Sequence, residues 1–406
     1  MSRDFDIVVH GATGFTGRLV AEYLLQRCPD PAGGHNPEGI RWALGGRSAA
    51  KLAELRDSLG APADTPLVVT DAGDPAALAA LAGRTRLVLT TVGPYQLYGS
   101  ALVAACAAAG THYVDLCGEP AWMRQMIDAH SDTAARSGAR IVFSCGFDSI
   151  PFDLGVWFVQ QAFAERHGHP AARVRGRVRR MKGTFSGGTA ASLRATLAAA
   201  AQNPQVLEWL RSPFSLTPGF EGPRQPSGHK PMVDDALGLV QGEPVWVAPF
   251  VMAAINTKNV HRSNHLLQQR GLPAYGADFV YDEMLITGPG AKGEQMAQAV
   301  AADKSLGGEG GPKPGEGPSK AERESGFYDL LFLAEDSNGQ RLTASVKGDR
   351  DPGYGSTSKM ISESALCLLK DVPELPGGVW TPVPAMAAPL LQRLQAHAGL
   401  RFALEG

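Results

Sequence analysis

Over its first 150 residues the chain alternates short apolar runs with longer stretches in which apolar side chains recur at helical spacing. Runs at 5–9, 42–44, 66–69, 87–91, 112–115 and 141–144 read as buried strands, and 17–26, 49–59, 75–82, 100–109 and 121–136 carry helix formers between them. Unbroken apolar strands separated by helices are the pattern of a parallel sheet covered on both faces, and six strands complete a dinucleotide-binding fold. After Pro151 the pattern changes. Positions 173–181 alternate Arg with Val or Gly, and strand-like runs recur at 245–254 and 327–334, which predicts a mixed α+β unit. An amphipathic helix returns at 356–370, and Gly377-Gly378-Val379-Trp380-Thr381-Pro382 leads into a last helix at 385–398. The expected fold class is α/β: a doubly wound parallel sheet over 1–150, a mixed α+β substrate or dimerisation domain over 151–345, and C-terminal helices over 346–406 that pack back on the first domain.

Gly and Pro crowd 306–319, where too few apolar groups stand to offset ordering entropy, so a mobile loop or passive linker is expected. The apolar run 245–255 is interrupted by Pro249 and is about half the roughly 20 residues that a membrane-spanning helix needs. It reads as a buried strand, with contact at a membrane surface left open. The first residues run straight into a strand and leave no room for a secretion signal.

Composition narrows the function. A formal charge of −2, with 19% charged residues, lacks the basic excess that binds a phosphate backbone, so nucleic acid is not an expected partner. The five cysteines, Cys28, Cys106, Cys117, Cys145 and Cys367, are odd in number and form no C-x-x-C pair. No metal cage or disulfide framework is expected, and a reducing cytoplasm fits.

Directly after the first strand stands Gly11-Ala12-Thr13-Gly14-Phe15-Thr16-Gly17, a G-x-x-G-x-x-G turn opening a helix. Positions without side chains let a pyrophosphate approach the backbone, and the free N–H groups of a helix start carry partial positive charge. At the end of the second strand an NAD site places an acid, but this chain reads Gly45-Gly46-Arg47-Ser48, with Lys51 close behind. Arg47 can pair bidentately with a 2′-phosphate while Ser48 donates a further bond, each contributing about 1.5–3 kcal/mol. NADP(H) is therefore the expected cofactor; the other reading has Arg47 and Ser48 simply capping the next helix. Asp71, after the third strand, accepts from an adenine amino group or caps the following helix. Val92, Gly93 and Pro94, after the fourth, fall where such a sheet meets the ribose and nicotinamide, and Gly93 permits close backbone approach.

These residues resemble the saccharopine dehydrogenase-like oxidoreductase family, which includes bacterial trans-acting enoyl reductases. The resemblance rests on Gly11 to Gly17, Gly45-Gly46-Arg47, Val92-Gly93-Pro94-Tyr95 with Tyr98-Gly99, Tyr113-Val114-Asp115 with Gly118-Glu119, and Gly146-Phe147-Asp148-Ser149-Ile150-Pro151-Phe152-Asp153. It continues at Ser186-Gly187-Gly188-Thr189 and Asp351-Pro352-Gly353-Tyr354. It implies a Rossmann domain joined to a mixed domain, NADP-dependent reduction, and, in the enoyl reductase branch, a lipid- or polyketide-type acyl substrate handed over by a partner synthase. A homodimer stays open. Saccharopine-type amino-acid dehydrogenation is an alternative, although no matching cluster of Arg and Lys stands out. A regulator that senses NADP without turnover is another.

Reduction also needs a proton donor near the carboxyl edge of the sheet. No Tyr-x-x-x-Lys pair exists, which disfavours a short-chain dehydrogenase mechanism. Tyr113 and Asp115 stand at this edge too, but the candidates carried forward are Tyr95, the first choice, as acid, substrate-orienting hydroxyl or packed ring; Asp148 and Ser149, orienting a carbonyl or fixing a turn; and Glu119, as a buried carboxyl of raised pKa or a cap of the helix from Ala121. Cys117 reads as an inert packed thiol. Arg173, Arg175, Arg177 and Arg179, with Arg180 and Lys182, line a strand face that either receives an anionic carrier or pairs with acids. Ser186 to Thr189 opens a helix over 190–201 that either holds an anion or is only capped.

Overall fold

Strand β1 (Phe5–His10) runs between two later strands, with Ile7 and Val9 directed to one face of the sheet and Val8 to the other. The structure is a computed structural model that describes residues 3–184, 187–303, 305 and 317–406. Ser186, and the 306–316 part of the expected loop, lie outside the described residues. Of the rest of that loop, Ser319 caps the helix Lys320–Ser325 in a reciprocal bond with Glu322.

The remaining strands are β2 (Trp42–Gly46), β3 (Leu67–Val69), β4 (Thr85–Thr90), β5 (His112–Val114), β6 (Arg140–Val142), β7 (Arg173–Lys182), β8 (Met232–Val233), β9 (Leu239–Val240), β10 (Glu243–Pro249), β11 (Val280–Pro289), β12 (Phe327–Glu335), β13 (Arg341–Gly348), β14 (Gly378–Trp380) and β15 (Leu400–Glu405). The first sheet is entirely parallel and has seven strands in the order β14-β6-β5-β4-β1-β2-β3. Six of them are the strands that the hydrophobic pattern predicts. The seventh, β14, comes from the Gly377–Pro382 lead-in, which the pattern left without an element.

Because both faces are apolar, both must be covered. Helices Pro75–Arg84, Ser100–Ala109 and Pro120–Ser137 cover one face, burying Leu78, Val103 and Met123 against Val8, Val88 and Tyr113. The other face has Phe15–Arg27 and Ala49–Ser58 over β1 and β2, but the local crossovers place no helix under β4 and β5. Helix Thr357–Lys370 fills that place, packing on β4, β5 and Phe15–Arg27, and is buried on nearly every face. Its Glu363, fully buried, accepts from Tyr23 at 2.7 Å and Arg27 at 3.0 Å and pairs with Arg393 at 3.1 Å, tying the C-terminal helices to the first crossover.

The second sheet is mixed, in the order β15-β13-β12-β7-β11-β10-β8 with β9 beside β10; β7 and β11 run parallel and the other pairs antiparallel. Two helices absent from the sequence reading cover one face, Ile150–His167 and Ala253–Gln269. The run expected as a strand over 245–254 ends at Pro249, and Ala253 already opens the second of these helices. Helix Ile150–His167 seats close to β12: a β-carbon on Gly155 would stand 2.4 Å from the Phe332 ring. At the chain end, the expected helix is Pro382–Arg393 followed by a π-turn, and β15 then joins the second sheet.

The Glu363 cluster yields a test of the C-terminal clasp. Replacing Glu363 by Leu leaves Arg27 and Arg393 short of a buried acceptor, and urea denaturation should show a loss of about 3 kcal/mol. A loss below about 0.5 kcal/mol, the range of an ordinary surface substitution, would show that the clasp contributes nothing.

Candidate active site

All six predicted strands of the first sheet point the same way, so the residues that follow them collect along one edge. After β1, the glycine turn is built by contact. Gly11 has φ +88°, and a β-carbon there would meet Val92 Cγ2 at 2.7 Å; one on Gly17 would meet the Gly11 carbonyl oxygen at 2.1 Å. These two glycines therefore seat the helix Phe15–Arg27 on the strand end. Gly14 is different: it is exposed, occupies the N-cap and has no side chain to bond the first N–H groups. Thr13 beside it is exposed, and Thr16 is half-buried in the first turn. The Phe15 side chain turns away to pack edge-on against Tyr354, ring centroids 5.1 Å apart, with Arg323 over its other side.

At the end of β2, Gly46 lies beside Thr13, where a β-carbon would come within 3.7 Å of the Thr13 hydroxyl. Arg47 is exposed and makes no ion pair or hydrogen bond among the described residues. Ser48 caps the helix Ala49–Ser58 by accepting from Lys51 N at 3.4 Å, which leaves its hydroxyl proton free to be donated. Asp71 does not cap the next helix; Asp74 does, accepting from Ala76 and Ala77. Asp71 instead holds Gly73 N at 2.9 Å through one oxygen. After β4, Val92 packs on the glycine turn, Gly93 is exposed, and the Gly93–Pro94 peptide is cis.

Three of the four proposed catalytic side chains are spoken for by the fold. The Tyr95 hydroxyl donates to the Thr90 carbonyl at 3.3 Å and accepts from Leu116 N at 3.1 Å, joining the ends of β4 and β5, and burial holds its pKa well above the usual phenol value. Glu119 stands at the N-cap of Pro120–Ser137 yet does not cap it. Its carboxylate accepts from Tyr95 N at 2.9 Å, Gln96 N at 2.8 Å and the Ser192 hydroxyl at 2.8 Å. Ser149 is fully buried and accepts from Asn259 Nδ2 at 2.7 Å.

Asp148 is the exception. It is half-buried, has no hydrogen bond or ion pair among the described residues, and desolvation pushes its pKa up to about 7. Gly118 makes room beside it, since a β-carbon there would already touch Asp148 Oδ2 at 3.5 Å. Cys117 is buried with its pKa well raised by desolvation, an inert thiol. Asp115, also pushed up to about 7 by burial, is committed to Cys117 N, Ser144 N and the Tyr113 hydroxyl.

The arginine row pairs with acids and is not free for a carrier. Arg173 and Arg177 hold Asp282, Arg177 also holds Asp234, Arg175 holds Glu335, and Arg179 bridges Asp329 and Glu405. Among the described residues no group of His, Cys, Asp and Glu could hold a metal ion.

Two features escaped the sequence. His10 ends β1 with both ring nitrogens buried and unpartnered, and burial lowers its pKa to about 4, so a neutral imidazole sits beneath the glycine turn near Asp71. A histidine closing an apolar strand was the available signal. The second is a cavity of about 1200 Å³ beside the second sheet. One wall is helix Gly187–Gln202, which carries Ala190 on the cavity and bonds to the sheet edge through Ser192 to Glu119 and Thr196 to Gln96. Helix Ala253–Gln269 forms another, and its Ile255 lies within 4.0 Å of a β-carbon placed on Gly118. The cavity and the strand edge thus share two helices.

An exposed, side-chain-free helix start and an unpaired guanidinium one strand away fit the pyrophosphate and 2′-phosphate of NADP(H). Replacing Arg47 by Asp should weaken NADPH binding roughly 10- to 100-fold while leaving NADH within a few-fold, as measured by fluorescence titration. Equal weakening of both would reject the 2′-phosphate assignment.

Residues 7–142 match the family model described as the saccharopine dehydrogenase NADP binding domain, and NADP(H) is the dinucleotide of this domain. The chain is 41% identical over 416 residues, covering 97% of it and 96% of the relative, to a Mycobacterium tuberculosis protein provisionally named a trans-acting enoyl reductase. It is 37% identical to the trans-acting enoyl reductases of Mycobacterium ulcerans and Mycobacterium bovis, again over 97% of its length and 96% of theirs. Apo saccharopine dehydrogenase (L-Glu forming) from Saccharomyces cerevisiae shares the fold, with a TM-score of 0.53 at 10% identity, over 99% of this chain and all of the other. With the mixed second sheet, the NADP binding domain and full-length relatives of this identity, the chain belongs to the saccharopine dehydrogenase-like oxidoreductase family.

Proposed function

We propose that this oxidoreductase is an enoyl reductase acting on a lipid- or polyketide-type acyl substrate held in the cavity beside the second sheet. The observation that carries this reading is Asp148, an unbonded carboxyl at the cofactor edge with a pKa near neutrality. Bound NADPH supplies a hydride from its nicotinamide. The remaining work falls to the chain's own residues.

The glycine turn, Thr13, Thr16 and the free helix start hold the diphosphate, Arg47 and Ser48 the 2′-phosphate, and Asp71 an adenine edge. Val92, Gly93 and Pro94 border the nicotinamide end. Asp148 carries the proton that the acyl α-carbon receives once the β-carbon has been reduced. An acid of pKa about 7 is about half protonated at neutral pH and becomes a base that water can recharge, which is the balance that general acid catalysis favours. Tyr95, Glu119 and Ser149 position this edge instead of exchanging protons. Glu119 fixes Tyr95 and Gln96, and the Ser149–Asn259 bond fixes the loop that bears Asp148.

The cavity supports an acyl substrate by size and lining. At about 1200 Å³ it exceeds the roughly 300–1000 Å³ of ordinary small-molecule pockets, and Leu210, Phe250, Val251 and Leu285 contribute to its walls. The names of the mycobacterial relatives support the same reaction class and a synthase that presents the chain. No helix among the described residues is long and apolar enough to cross a membrane.

A panel of 2-enoyl thioesters of increasing length, followed by loss of reduced-nicotinamide absorbance, tests the proposal; a panel on which no member accelerates NADPH oxidation would refute it. On an active member, Asp148→Asn should lower kcat by roughly 10²- to 10⁴-fold with NADPH affinity unchanged. The parent enzyme should lose kcat as pH rises through about 7, because the raised pKa keeps the proton on Asp148 only below that value. A flat profile between pH 6 and 9, or an Asn variant within threefold of the parent, would remove Asp148 from the chemistry.

A further inference from the structure

The cavity beside the second sheet holds one buried charge that has no counter-charge among the described residues. Lys258, on helix Ala253–Gln269, lines it at 4% exposure and has no ion pair or hydrogen bond among the described residues. The acids on the same walls are already engaged. Asp282 is held by Arg173 and Arg177, and Glu283 accepts from the Tyr281 hydroxyl at 2.8 Å and from Asn256 Nδ2 at 2.9 Å. Burial lowers the Lys258 pKa to about 8, so the side chain remains mostly an ammonium at neutral pH.

A buried cation without a counter-charge costs stability, and replacing such a group by an apolar one commonly makes a protein more stable. Its presence on a cavity wall is accounted for when a ligand brings the missing negative charge. The surroundings of Lys258 define what that ligand is. Met181, Leu210, Phe250, Val251 and Leu285 form an apolar part of the wall and suit a hydrocarbon. The next residue along the helix, Asn259, bonds Ser149, the residue next to Asp148, so one 2.7 Å contact ties the helix that bears Lys258 to the turn that bears the unbonded carboxyl.

We propose that Lys258 is the head-group anchor of this cavity, its ammonium donating to the oxygen of an acyl carbonyl or carboxylate whose hydrocarbon tail lies along the apolar wall. This rests on the acyl-substrate reading above and deepens it. Lys258 selects for an oxygen at the chain head and fixes how far the chain enters, so that the carbons beside the carbonyl stand near Asp148. A neighbour on the same helix, His261, has an unpartnered Nε2, and its pKa is lowered to about 3, by burial first and then by Lys258, so it contributes no competing positive charge.

The test uses the full chain saturated with NADPH and three probes: decanoate, decanol and 2-decenoyl-N-acetylcysteamine. In Lys258→Met, calorimetry should show decanoate binding weakened roughly 10- to 100-fold, as expected for a lost charge-assisted bond. Decanol binding and NADPH affinity should stay within threefold, and Lys258→Arg should recover part of the loss. A rise in KM for the thioester would identify a carrier-linked carbonyl as the natural source of the oxygen, and loss of decanoate binding alone a free carboxylate. Unchanged decanoate and thioester binding in Lys258→Met, or decanol weakened as much as decanoate, overturns the proposal. Because the binding measurements need no turnover, the two readings separate. Lys258-dependent decanoate binding with no enoyl thioester reduced would overturn only the reductase reading, and reduction with an unaffected Met variant would overturn only this one.

Discussion

The site depends on a contact that leaves no room for a side chain. Gly17 sits against the carbonyl of Gly11 so closely that a β-carbon would overlap it at 2.1 Å, and this brings the first helix directly onto the end of the first strand. The helix start, with its unsatisfied N–H groups, is thereby aimed past the exposed Gly14 at the edge where the other parallel strands end. The same packing puts Val92 against Gly11 and Gly46 beside Thr13, so the turns after three strands form one continuous rim.

Around that rim the protein spends most of its polar groups on itself. Asp115, Glu119, Tyr95 and Ser149 look like an array of acids and hydroxyls, yet each is bonded to backbone or to a neighbouring side chain. Their effect is rigidity, which matters for a reaction that requires a substrate carbon to be held in one place. Arg47 after β2, Asp148 after β6 and Lys258 on the cavity wall belong to the smaller set that makes no hydrogen bond or ion pair among the described residues.

The C-terminal segment shows how the scaffold is closed. A parallel sheet must be covered twice, and the local crossovers leave one face of β4 and β5 bare. Thr357–Lys370 returns from the far end of the chain to cover it, β14 extends the sheet, and β15 closes the edge of the second sheet. Tyr354, just before that helix, packs against Phe15 of the glycine turn, so the closure of the fold also borders the cofactor rim.

The sequence by itself determined the six-stranded core of the first sheet, the glycine turn and the cation after the second strand, because each is written in local periodicity or in residues a few positions apart. It also narrowed the proton donor to four residues, with Tyr95 put first. Only tertiary structure showed which of those four side chains the fold engages: whether a carboxyl is free depends on which distant donors reach it, and Ser192 and Asn259 come from other helices. The same holds for the arginine row, whose acids come from four separate segments, and for helix Ala253–Gln269. That helix buries Asn256, Lys258, Asn259, His261, Arg262, Ser263 and Asn264, so no apolar stripe marks it in the sequence, and an unpaired ammonium in a cavity exists only once the walls are assembled.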